Sequence, residues 1–416
     1  MFSAWVSQYR RLLVNFRIRF FNKPIQMNYG NDMTEKAARI CRAYLPGAWK
    51  KITTSDVEVT RISGGLSNWL YHVKLLKHVN NYAESSPREV MLRLYGQSHG
   101  ECNIQHLISE SVVFALLSER KLGPKLHGVF TGGRIEEYIP ARPLKLAEMS
   151  DPKLSMWIAE KMAALHSLNL PLSKEPSFIW ETTKRWLDEV GDVHALQFDN
   201  VRLQTLLKRD LYTELKWLRS YLTKFHSPVV FCHNDMQEGN ILIKSQSQPQ
   251  LQQLQPQQQS HNDDEFVVVA DDKPSSSASL IIIDYEYCAY NYRAFEIANH
   301  FMEWVFDYKV PDYPYFSVHV DNYPTMQQQR TFVEHYLKSL GSDESADVIL
   351  EEVKHFTLAT HFLWVIWSLI NGKSSKITFG YWEFAAERLQ MYYTLKSQLL
   401  NSSPSSLLMS RIFRPR

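Results

Sequence analysis

Residues 229–243 read VVFCHNDMQEGNILI, and this stretch decides how the rest of the chain is interpreted. The apolar runs at its two ends, residues 229–231 and 241–243, predict two short buried strands. Between them lies the loop HNDMQEGN, in which six of the eight residues carry polar side chains. A hairpin turn needs only about two to five residues, whereas a long polar loop held between strands is typical of a catalytic site. We therefore predict that residues 233–240 hold an active centre.

Three residues of this loop, His233, Asp235 and Asn240, have the spacing H-x-D-x-x-x-x-N. In kinase catalytic loops with this spacing, the Asp accepts the proton of the attacking hydroxyl and the Asn holds Mg²⁺. A further carboxylate, Asp284, follows the apolar run of residues 280–283. It resembles the metal-binding Asp of the D-F-G motif, although Tyr-Glu follows it instead of Phe-Gly. We predict Asp235 and Asn240 as catalytic residues, with Asn240 and Asp284 as the oxygen ligands of Mg²⁺.

The 416-residue chain has the composition of a globular protein, with 44% hydrophobic and 13% aromatic residues. This length allows two or three lobes, each with its own core. The 46 Lys and Arg residues against 44 Asp and Glu give a net charge of +2, too balanced to indicate nucleic acid as the main partner. The 4 cysteines lack the spacing of a zinc site, which favours reduced thiols in a cytoplasmic protein. The longest apolar run, near residues 362–370, is about half of a membrane span, so we expect no transmembrane segment.

Composition also separates the chain into segments. Residues 1–32 form a basic N-terminal extension, and the first 26 of them have the pattern of an amphipathic helix that could be a transit peptide or lie on a membrane surface. We predict instead a poorly ordered extension. The Gln-rich insert 245–279 has too little apolar content to fold and is predicted to be disordered. An N-lobe over residues 33–140 and a helical C-lobe over residues 141–400 then precede a tail, residues 401–416.

The N-lobe has the pattern of strand, glycine turn, strand over residues 57–76. A Gly-Gly pair in such a hairpin can let backbone N–H groups cover a phosphate, although an ordinary hairpin turn explains it equally well. A third strand carries Arg93 and the following helix, residues 103–121, carries Glu110. This order matches the strand Lys and helix Glu that position ATP in protein kinases, and a plain ion pair is the alternative. A strand over residues 134–139 ends at Pro140, as a hinge between lobes would.

The C-lobe is predicted to be mainly helical, with helices over residues 156–171 and 200–225. His166 in the first is expected to be a packed histidine. The stretch 287–308 places three acidic residues on one predicted helical face among aromatic rings; they are Glu296, Glu303 and Asp307. Trp364 and Trp367, three residues apart on an apolar helix, read as core packing when taken alone. Rings combined with a carboxylate are also what a quaternary ammonium group requires.

These motifs together resemble the choline/ethanolamine kinase family. The segments SGGLSN, MLRLYG, HNDMQEGNIL, IDYEYCAYNYRAFEIANHFMEW and FGYWEFA occur in family order, and the resemblance covers residues 55–395 without the Gln-rich insert. It implies an α+β, bilobal, protein-kinase-like fold similar to the aminoglycoside phosphotransferases, with a small β-rich N-lobe and a large helical C-lobe. It also implies ATP-dependent, Mg²⁺-dependent phosphorylation of choline to phosphocholine, the first step of phosphatidylcholine synthesis by the CDP-choline route. The alternatives are an ethanolamine or dual-specificity kinase and, more remotely, an inactive binding or scaffold protein.

The resemblance assigns site residues by position. For ATP it implies Ser63, Gly64, Gly65, Leu66, Ser67, Asn68, Arg93, Glu110, Glu137, Gln237 and Asp284. For choline it implies Asp235, Gln237, Tyr287, Glu303, Tyr308, Trp364, Trp367 and Phe384. The family further implies a homodimer.

Three positions depart from the family pattern. Ser63 stands where several relatives have Arg, and Pro143 where some have a second basic residue, which affects the predicted nucleotide contacts. Phe384 keeps the ring of a pocket position that is often Tyr but lacks its hydroxyl.

Overall fold

A computed structural model describes residues 33–62, 68–80, 86–95, 103–244, 280–375 and 377–401, without the side chains of residues 103–109 and 194. Residues 1–32, residues 63–67, the Gln-rich insert 245–279 and residues 402–416 lie outside the described residues, and so do the expectations made for them. The chain divides into two compact units, with the boundary between Ile139 and Pro140. Unit 1 precedes this boundary and unit 2 follows it.

Unit 1 contains a five-stranded antiparallel sheet in the order β1-β2-β3-β5-β4. The elements are α1 (Met33–Tyr44), β1 (Val57–Ile62), β2 (Asn68–Leu75), β3 (Glu89–Tyr95), α2 (Asn103–Glu119), β4 (Leu126–Phe130) and β5 (Gly133–Glu137). Val90, Leu92 and Leu94 are buried, because side chains two residues apart on a strand point to the same face. They form the core of the unit together with buried residues of α1 and with Trp49.

The middle of this sheet requires glycine at one position. Gly133 of β5 lies opposite Leu94 of β3 in the strand register. A Cβ atom on Gly133 would lie 2.2 Å from the carbonyl oxygen of Arg93 and 2.7 Å from the Phe130 ring. Only a residue without a side chain lets the two strands approach this closely.

The strands of unit 2 are short and frame the loop HNDMQEGN. A three-stranded antiparallel sheet contains β6 (Ala141–Pro143), β8 (Ile241–Lys244) and β9 (Leu280–Ile282) in that order. A two-stranded antiparallel sheet pairs β7 (Val229–Cys232) with β10 (Ala289–Tyr292), and another pairs β11 (Phe306–Asp307) with β12 (Ser317–Val318). The loop therefore leaves one small sheet at β7 and enters another at β8.

Helices form the rest of unit 2 and pack around a central helix. They are α3 (Pro152–His166), a π-helical turn (Phe178–Thr182), α4 (Thr183–Val190), α5 (Val201–Leu206), α6 (Leu211–Leu222), α7 (Arg293–Glu303), α8 (Met326–Leu340), α9 (Ala346–Ser374) and α10 (Tyr381–Asn401). The central helix α9 contacts α4, α7, α8 and α10. It is long and apolar enough to cross a membrane, but 94% of its apolar window is buried inside the protein, which is typical of a core helix.

Two sequence expectations are wrong in this unit. The single helix predicted over residues 200–225 is two helices, because the Asp210 side chain accepts from the Tyr212 and Thr213 amides and starts α6 separately. The acidic helical face predicted across residues 287–308 is also wrong. Helix α7 ends at Glu303, and Asp307 lies on β11.

Candidate active site

The loop histidine shapes the backbone of HNDMQEGN. His233 is fully buried, its Nε2–H donates to the Ile283 carbonyl at 2.8 Å, and its Nδ1 accepts from the Asp235 amide at 3.2 Å. Burial lowers the pKa of His233, so the neutral ring makes both bonds at once. Its imidazole therefore fixes the geometry of the loop at the residue before Asp235.

Asn234 is the most heavily bonded residue of the loop. Its backbone lies in the left-handed region, with φ at 68°, a conformation that a non-glycine residue keeps only when its surroundings enforce it. Its amide donates to Glu296 Oε1 at 2.8 Å and its Nδ2 donates to the Tyr287 carbonyl at 2.8 Å. Asn291 Nδ2 donates to its Oδ1 at 2.7 Å, and Asn299 Nδ2 to its carbonyl at 3.4 Å. These contacts enforce the turn that presents Asp235.

Glu296 anchors this network from α7. Its Oε2 accepts from His166 Nε2 at 2.5 Å, and Tyr336 bonds the other ring nitrogen of His166 at 2.8 Å. Burial favours the neutral acid, but the hydrogen bonds from His166 and Asn234 lower the pKa of Glu296 overall. His166 is thus a packed histidine, as the sequence predicted. It acts on the loop through Glu296, which binds both His166 and the Asn234 amide.

Cys232 completes a cluster that could hold a metal ion by distance alone. Its Sγ lies 3.8 Å from His166 Nε2, next to Glu296. Burial raises the pKa of the Cys232 thiol well above its usual value, whereas a metal ligand must be a thiolate. The direct bond between His166 and Glu296 already uses the groups that would face the ion. We interpret this cluster as a hydrogen-bond network.

The spacing between Asp235 and Asn240 brings their side chains together. A 3₁₀ turn over Glu238–Asn240 folds the loop back, and Asn240 Nδ2 donates to Asp235 Oδ2 at 2.8 Å and to the Asp235 carbonyl at 3.0 Å. Gln237 Oε1 accepts from the Gly239 amide at 3.1 Å and starts this turn. Because Asn240 uses its Nδ2 on Asp235, its Oδ1 is the atom suited to bind a cation.

Carboxylates surround Asp235. Burial raises the pKa of Asp235 well above its usual range, and the charges of Glu303, Asp284 and Glu286 raise it further. Asp284 itself follows β9 in the left-handed conformation, with φ at 66°. So many like charges at one place favour a cation among them, and hard oxygen donors such as those of Asn240 and Asp284 fit Mg²⁺. The donor set is therefore compatible with the predicted ion.

Aromatic rings begin next to this acidic group. The Tyr287 ring stands perpendicular to Trp364, with centroids 5.7 Å apart, and its hydroxyl accepts from Trp367 Nε1 at 3.0 Å. Burial, followed by the charges of Glu286 and Asp235, raises the pKa of Tyr287, and the Tyr287 carbonyl accepts from the loop residue Asn234 at 2.8 Å. Trp364 is fixed in turn by its Nε1–H, which donates to Asn299 Oδ1 at 2.7 Å.

Ring contacts continue without a break to the end of the predicted pocket. From Trp367 they pass to Tyr381 at 5.6 Å, to Phe379 at 5.1 Å and to Phe384 at 5.7 Å, and Tyr308 lies 6.0 Å from Phe384. We call the seven rings the aromatic wall: Tyr287, Trp364, Trp367, Tyr381, Phe379, Phe384 and Tyr308. The sequence analysis predicted five of these seven rings as choline-binding residues. It missed Tyr381 and Phe379, although both lie inside the motif FGYWEFA.

Glu303 lies at the Tyr308 end of the wall. Its Oε2 accepts from the Tyr308 hydroxyl at 2.7 Å and its Oε1 accepts from Arg388 Nη2 at 2.5 Å. Arg388 is fully buried and its guanidinium carbon lies 3.9 Å from the centroid of Phe306. The sequence did not predict Arg388. Its position four residues after Phe384 on α10 was the available signal, since such residues share a helical face.

Two of the predicted ATP residues of unit 1, Arg93 and Glu110, belong to a buried ion-pair group. Arg93 Nε donates to Glu136 Oε1 at 2.9 Å, Arg134 Nε donates to the same oxygen at 2.6 Å, and Arg134 also pairs with Glu110. The sequence predicted Arg93 and Glu110 but missed Arg134 and Glu136, which connect them. Glu137 is exposed and its Oε2 accepts from the Lys125 amide.

The other residues of unit 1 predicted to bind ATP are those of the segment 63–68. Asn68 is buried at the start of β2, while Ser63, Gly64, Gly65, Leu66 and Ser67 lie outside the described residues. Within unit 2, the structure brings Asp235, Asn240, Asp284, Glu303 and the aromatic wall into one connected region.

Comparison with known proteins gives this region a family. The sequence model of the choline/ethanolamine kinase family matches residues 59–393. A human protein named choline/ethanolamine kinase is 39% identical over 384 residues, 90% of this chain and 89% of the relative.

Solved structures show the same fold. A choline kinase from Cryptosporidium parvum superposes with a TM-score of 0.68 at 26% identity, over 92% of this chain and 100% of that one. A Ralstonia eutropha protein assigned to the aminoglycoside phosphotransferases superposes with a TM-score of 0.50 at 12% identity, over 88% of this chain and 98% of that one. The predicted α+β, protein-kinase-like fold is confirmed. With the motifs, the site geometry and these similarities together, the chain belongs to the choline/ethanolamine kinase family.

Proposed function

We propose that this protein transfers the γ-phosphoryl group of ATP to the hydroxyl of choline and forms phosphocholine. Family membership supports a kinase that acts on choline or ethanolamine. The observation that carries the finer assignment is the aromatic wall, which begins at Tyr287 next to the loop that carries Asp235: the Tyr287 carbonyl accepts from Asn234 Nδ2 at 2.8 Å. In a small alcohol that carries a quaternary ammonium group, the hydroxyl would lie at Asp235 and the ammonium group at the rings.

Asp235 would accept the proton of the attacking hydroxyl. Asn240 Nδ2 holds its Oδ2, which leaves Oδ1 to accept the proton of the alcohol. Burial raises the pKa of Asp235 from its ordinary value, and a general base works best when its pKa approaches the working pH. Placing the hydroxyl in line with the phosphorus is the larger part of the catalysis.

The phosphates would be held by both oxygen ligands and basic groups. Asn240 and Asp284 would bind Mg²⁺, which supplies charge neutralisation on the phosphate oxygens when it is present. For ATP we propose the residues implied by the sequence: Asp284 and Gln237 in unit 2, and in unit 1 the segment 63–68 with Arg93, Glu110 and Glu137. Arg93 and Glu110 would act through the buried group that they form with Arg134 and Glu136.

The wall favours choline over ethanolamine for a chemical reason. A quaternary ammonium group cannot donate hydrogen bonds and gains about 0.5–2 kcal/mol from a favourable contact with a ring face. A primary ammonium group has three N–H donors that ring faces satisfy poorly. Ethanolamine as the main substrate, or as an equal second one, is the alternative.

Steady-state kinetics with ATP and each amino alcohol test the proposal. We expect a higher kcat/KM for choline than for ethanolamine, and equal or better values for ethanolamine would overturn the choline assignment. Asp235→Asn should lower kcat by about a hundredfold or more, since it removes the proton acceptor. The surface substitution Asp343→Asn is the matched control and should leave kcat unchanged. A wild-type protein that binds choline but consumes no ATP would instead identify an inactive binding protein.

Two further expectations concern the state of the protein in the cell. We propose a homodimer, as the family resemblance implies, and a cytoplasmic location, as the cysteine pattern favours. Sedimentation equilibrium of the full chain measures the first, and a monomer at micromolar concentration contradicts it. Fractionation of cells with and without residues 1–32 measures the second.

A further inference from the structure

The buried pair of Glu303 and Arg388 suggests how the pocket selects its cation. Glu303 is 2% exposed, and both of its oxygens accept hydrogen bonds, one from Arg388 Nη2 and the other from the Tyr308 hydroxyl. Tyr308 is a ring of the aromatic wall, so the pair lies at the edge of the proposed amine pocket. A carboxylate in this position is attractive to any ammonium group unless another cation already neutralises it.

Arg388 depends on Glu303 in return. Among the residues that the structure describes, its Nε and Nη1 atoms have no hydrogen-bond partner, and Glu303 is the carboxylate that pairs with it. Its guanidinium carbon lies 3.9 Å from the Phe306 centroid and 5.0 Å from that of Phe384, a ring of the aromatic wall. Removing either charge therefore leaves the other one buried and unpaired, which is more costly than removing both.

We propose that Arg388 is a specificity-determining positioning residue: by pairing with Glu303 it keeps this carboxylate from binding a primary ammonium group, so that the rings of the wall select a quaternary one. The proposal rests on the function proposed above, because it concerns the same pocket. It assigns a role to a residue that touches no substrate and acts through Glu303 and Phe384.

The ratio of kcat/KM for ethanolamine to that for choline tests the proposal, since this ratio does not depend on how much of a variant is folded. In Arg388→Met the freed carboxylate gains a hydrogen-bonding partner in ethanolamine, and the ratio should rise by about tenfold or more. Arg388→Lys keeps the positive charge beside Glu303 and should keep the wild-type ratio to within about threefold, because this charge is what neutralises the carboxylate. If Arg388→Met changes both substrates by the same factor, Arg388 is only structural and the proposal is wrong.

A double-mutant cycle tests the same point with variants that remove one charge or both. Glu303→Gln leaves Arg388 unpaired beside the cation site and should raise the KM for choline by about tenfold, because like charges repel. The double variant Glu303→Gln/Arg388→Met removes both charges and should recover a KM within about threefold of wild type. A double variant no better than Glu303→Gln alone would overturn the proposal, even if Arg388→Met fails to fold. A wild-type protein inactive on both amines would refute the proposed function instead, so the two failures are distinguishable.

Discussion

The contact between Glu296 and the loop amide of Asn234 gives a prediction that separates support of the catalytic loop from catalysis itself. Glu296→Ala removes the acceptor of the Asn234 amide and the partner of His166 Nε2, and both groups are buried. Each buried polar group left without a partner costs about 1–3 kcal/mol, so we expect a loss of about 2–6 kcal/mol in the free energy of unfolding. For a unit of this size that corresponds to a fall in Tm of about 5–15 °C.

The same substitution should lower kcat more than it raises KM. Asn234 keeps its left-handed backbone only because its surroundings enforce it, and without Glu296 the turn before Asp235 can relax. A misplacement of about 1 Å costs about a hundredfold in rate, so we expect kcat to fall by about 10–100-fold. The aromatic wall is unchanged, so the KM for choline should stay within about threefold of wild type.

Thermal unfolding and steady-state kinetics on the same preparations measure both effects. Glu296→Gln is the informative partner variant, because its amide oxygen can still accept from Asn234 and its NH₂ can donate to the ring nitrogen of His166. It should lose less than half of the stability that Glu296→Ala loses. Glu334→Ala, at an exposed carboxylate that lies 3.9 Å from its partner Arg330, is the control and should change stability by less than about 1 kcal/mol. Wild-type Tm and kcat in Glu296→Ala would refute the reasoning.

Three other changes have directions set by the structure. Burial lowers the pKa of His300 to about 4, so the folded state holds fewer protons than the unfolded state between pH 4 and about 6.5, and stability falls as the pH drops through this window. His300→Asn keeps a donor for the Met236 carbonyl and should reduce the change in the free energy of unfolding across this pH window by about 3 kcal/mol. Denaturant unfolding at several pH values measures this change, and a pH profile equal to that of the wild type contradicts the prediction. Trp367→Phe loses the donor to the Tyr287 hydroxyl and should raise the KM for choline by about 3–10-fold with kcat within about twofold, whereas an unchanged KM argues against the wall. Gly133→Ala should lower the free energy of unfolding by about 3 kcal/mol or more, because its Cβ would clash with the neighbouring strand. Gly132→Ala, with φ at 91° and open space around it, should lower it by about 1–2 kcal/mol. Equal losses of the two variants in thermal unfolding would contradict the clash.

The parts of the fold that the sequence predicted depend on local pattern. Apolar runs beside HNDMQEGN became β7 and β8, because a short buried strand needs nothing beyond its own residues and a partner. The break between α5 and α6 was missed, since the amphipathic pattern continues through Asp210 and only its side-chain cap separates the helices. Asp307 was also placed on the wrong element. It lies four residues after Glu303, which is helical spacing, but the helix ends at Glu303 and Asp307 belongs to β11.

Residues that act through a contact between distant segments could not be found this way. Arg388 reads as an ordinary surface cation on α10 until Glu303 and Phe306, from a different part of the chain, lie against it. Arg134 and Glu136 were hidden similarly, because they matter only once β5 lies beside β3. Sequence reasoning finds a group that carries chemistry within one motif. A group that compensates a distant charge becomes visible only with the fold.

Helix α7 connects the two halves of the site. Glu296 and Glu303 are seven residues apart, which is about two helical turns, so both carboxylates project from the same side of the helix. One is used to hold the loop amide before Asp235, and the other is used with Arg388 and Tyr308 at the end of the aromatic wall. The position of the base and the charge of the pocket therefore depend on one rigid element. A shift of α7 would change kcat and amine selectivity together, whereas a substitution confined to α9, such as Trp367→Phe, would change amine binding alone.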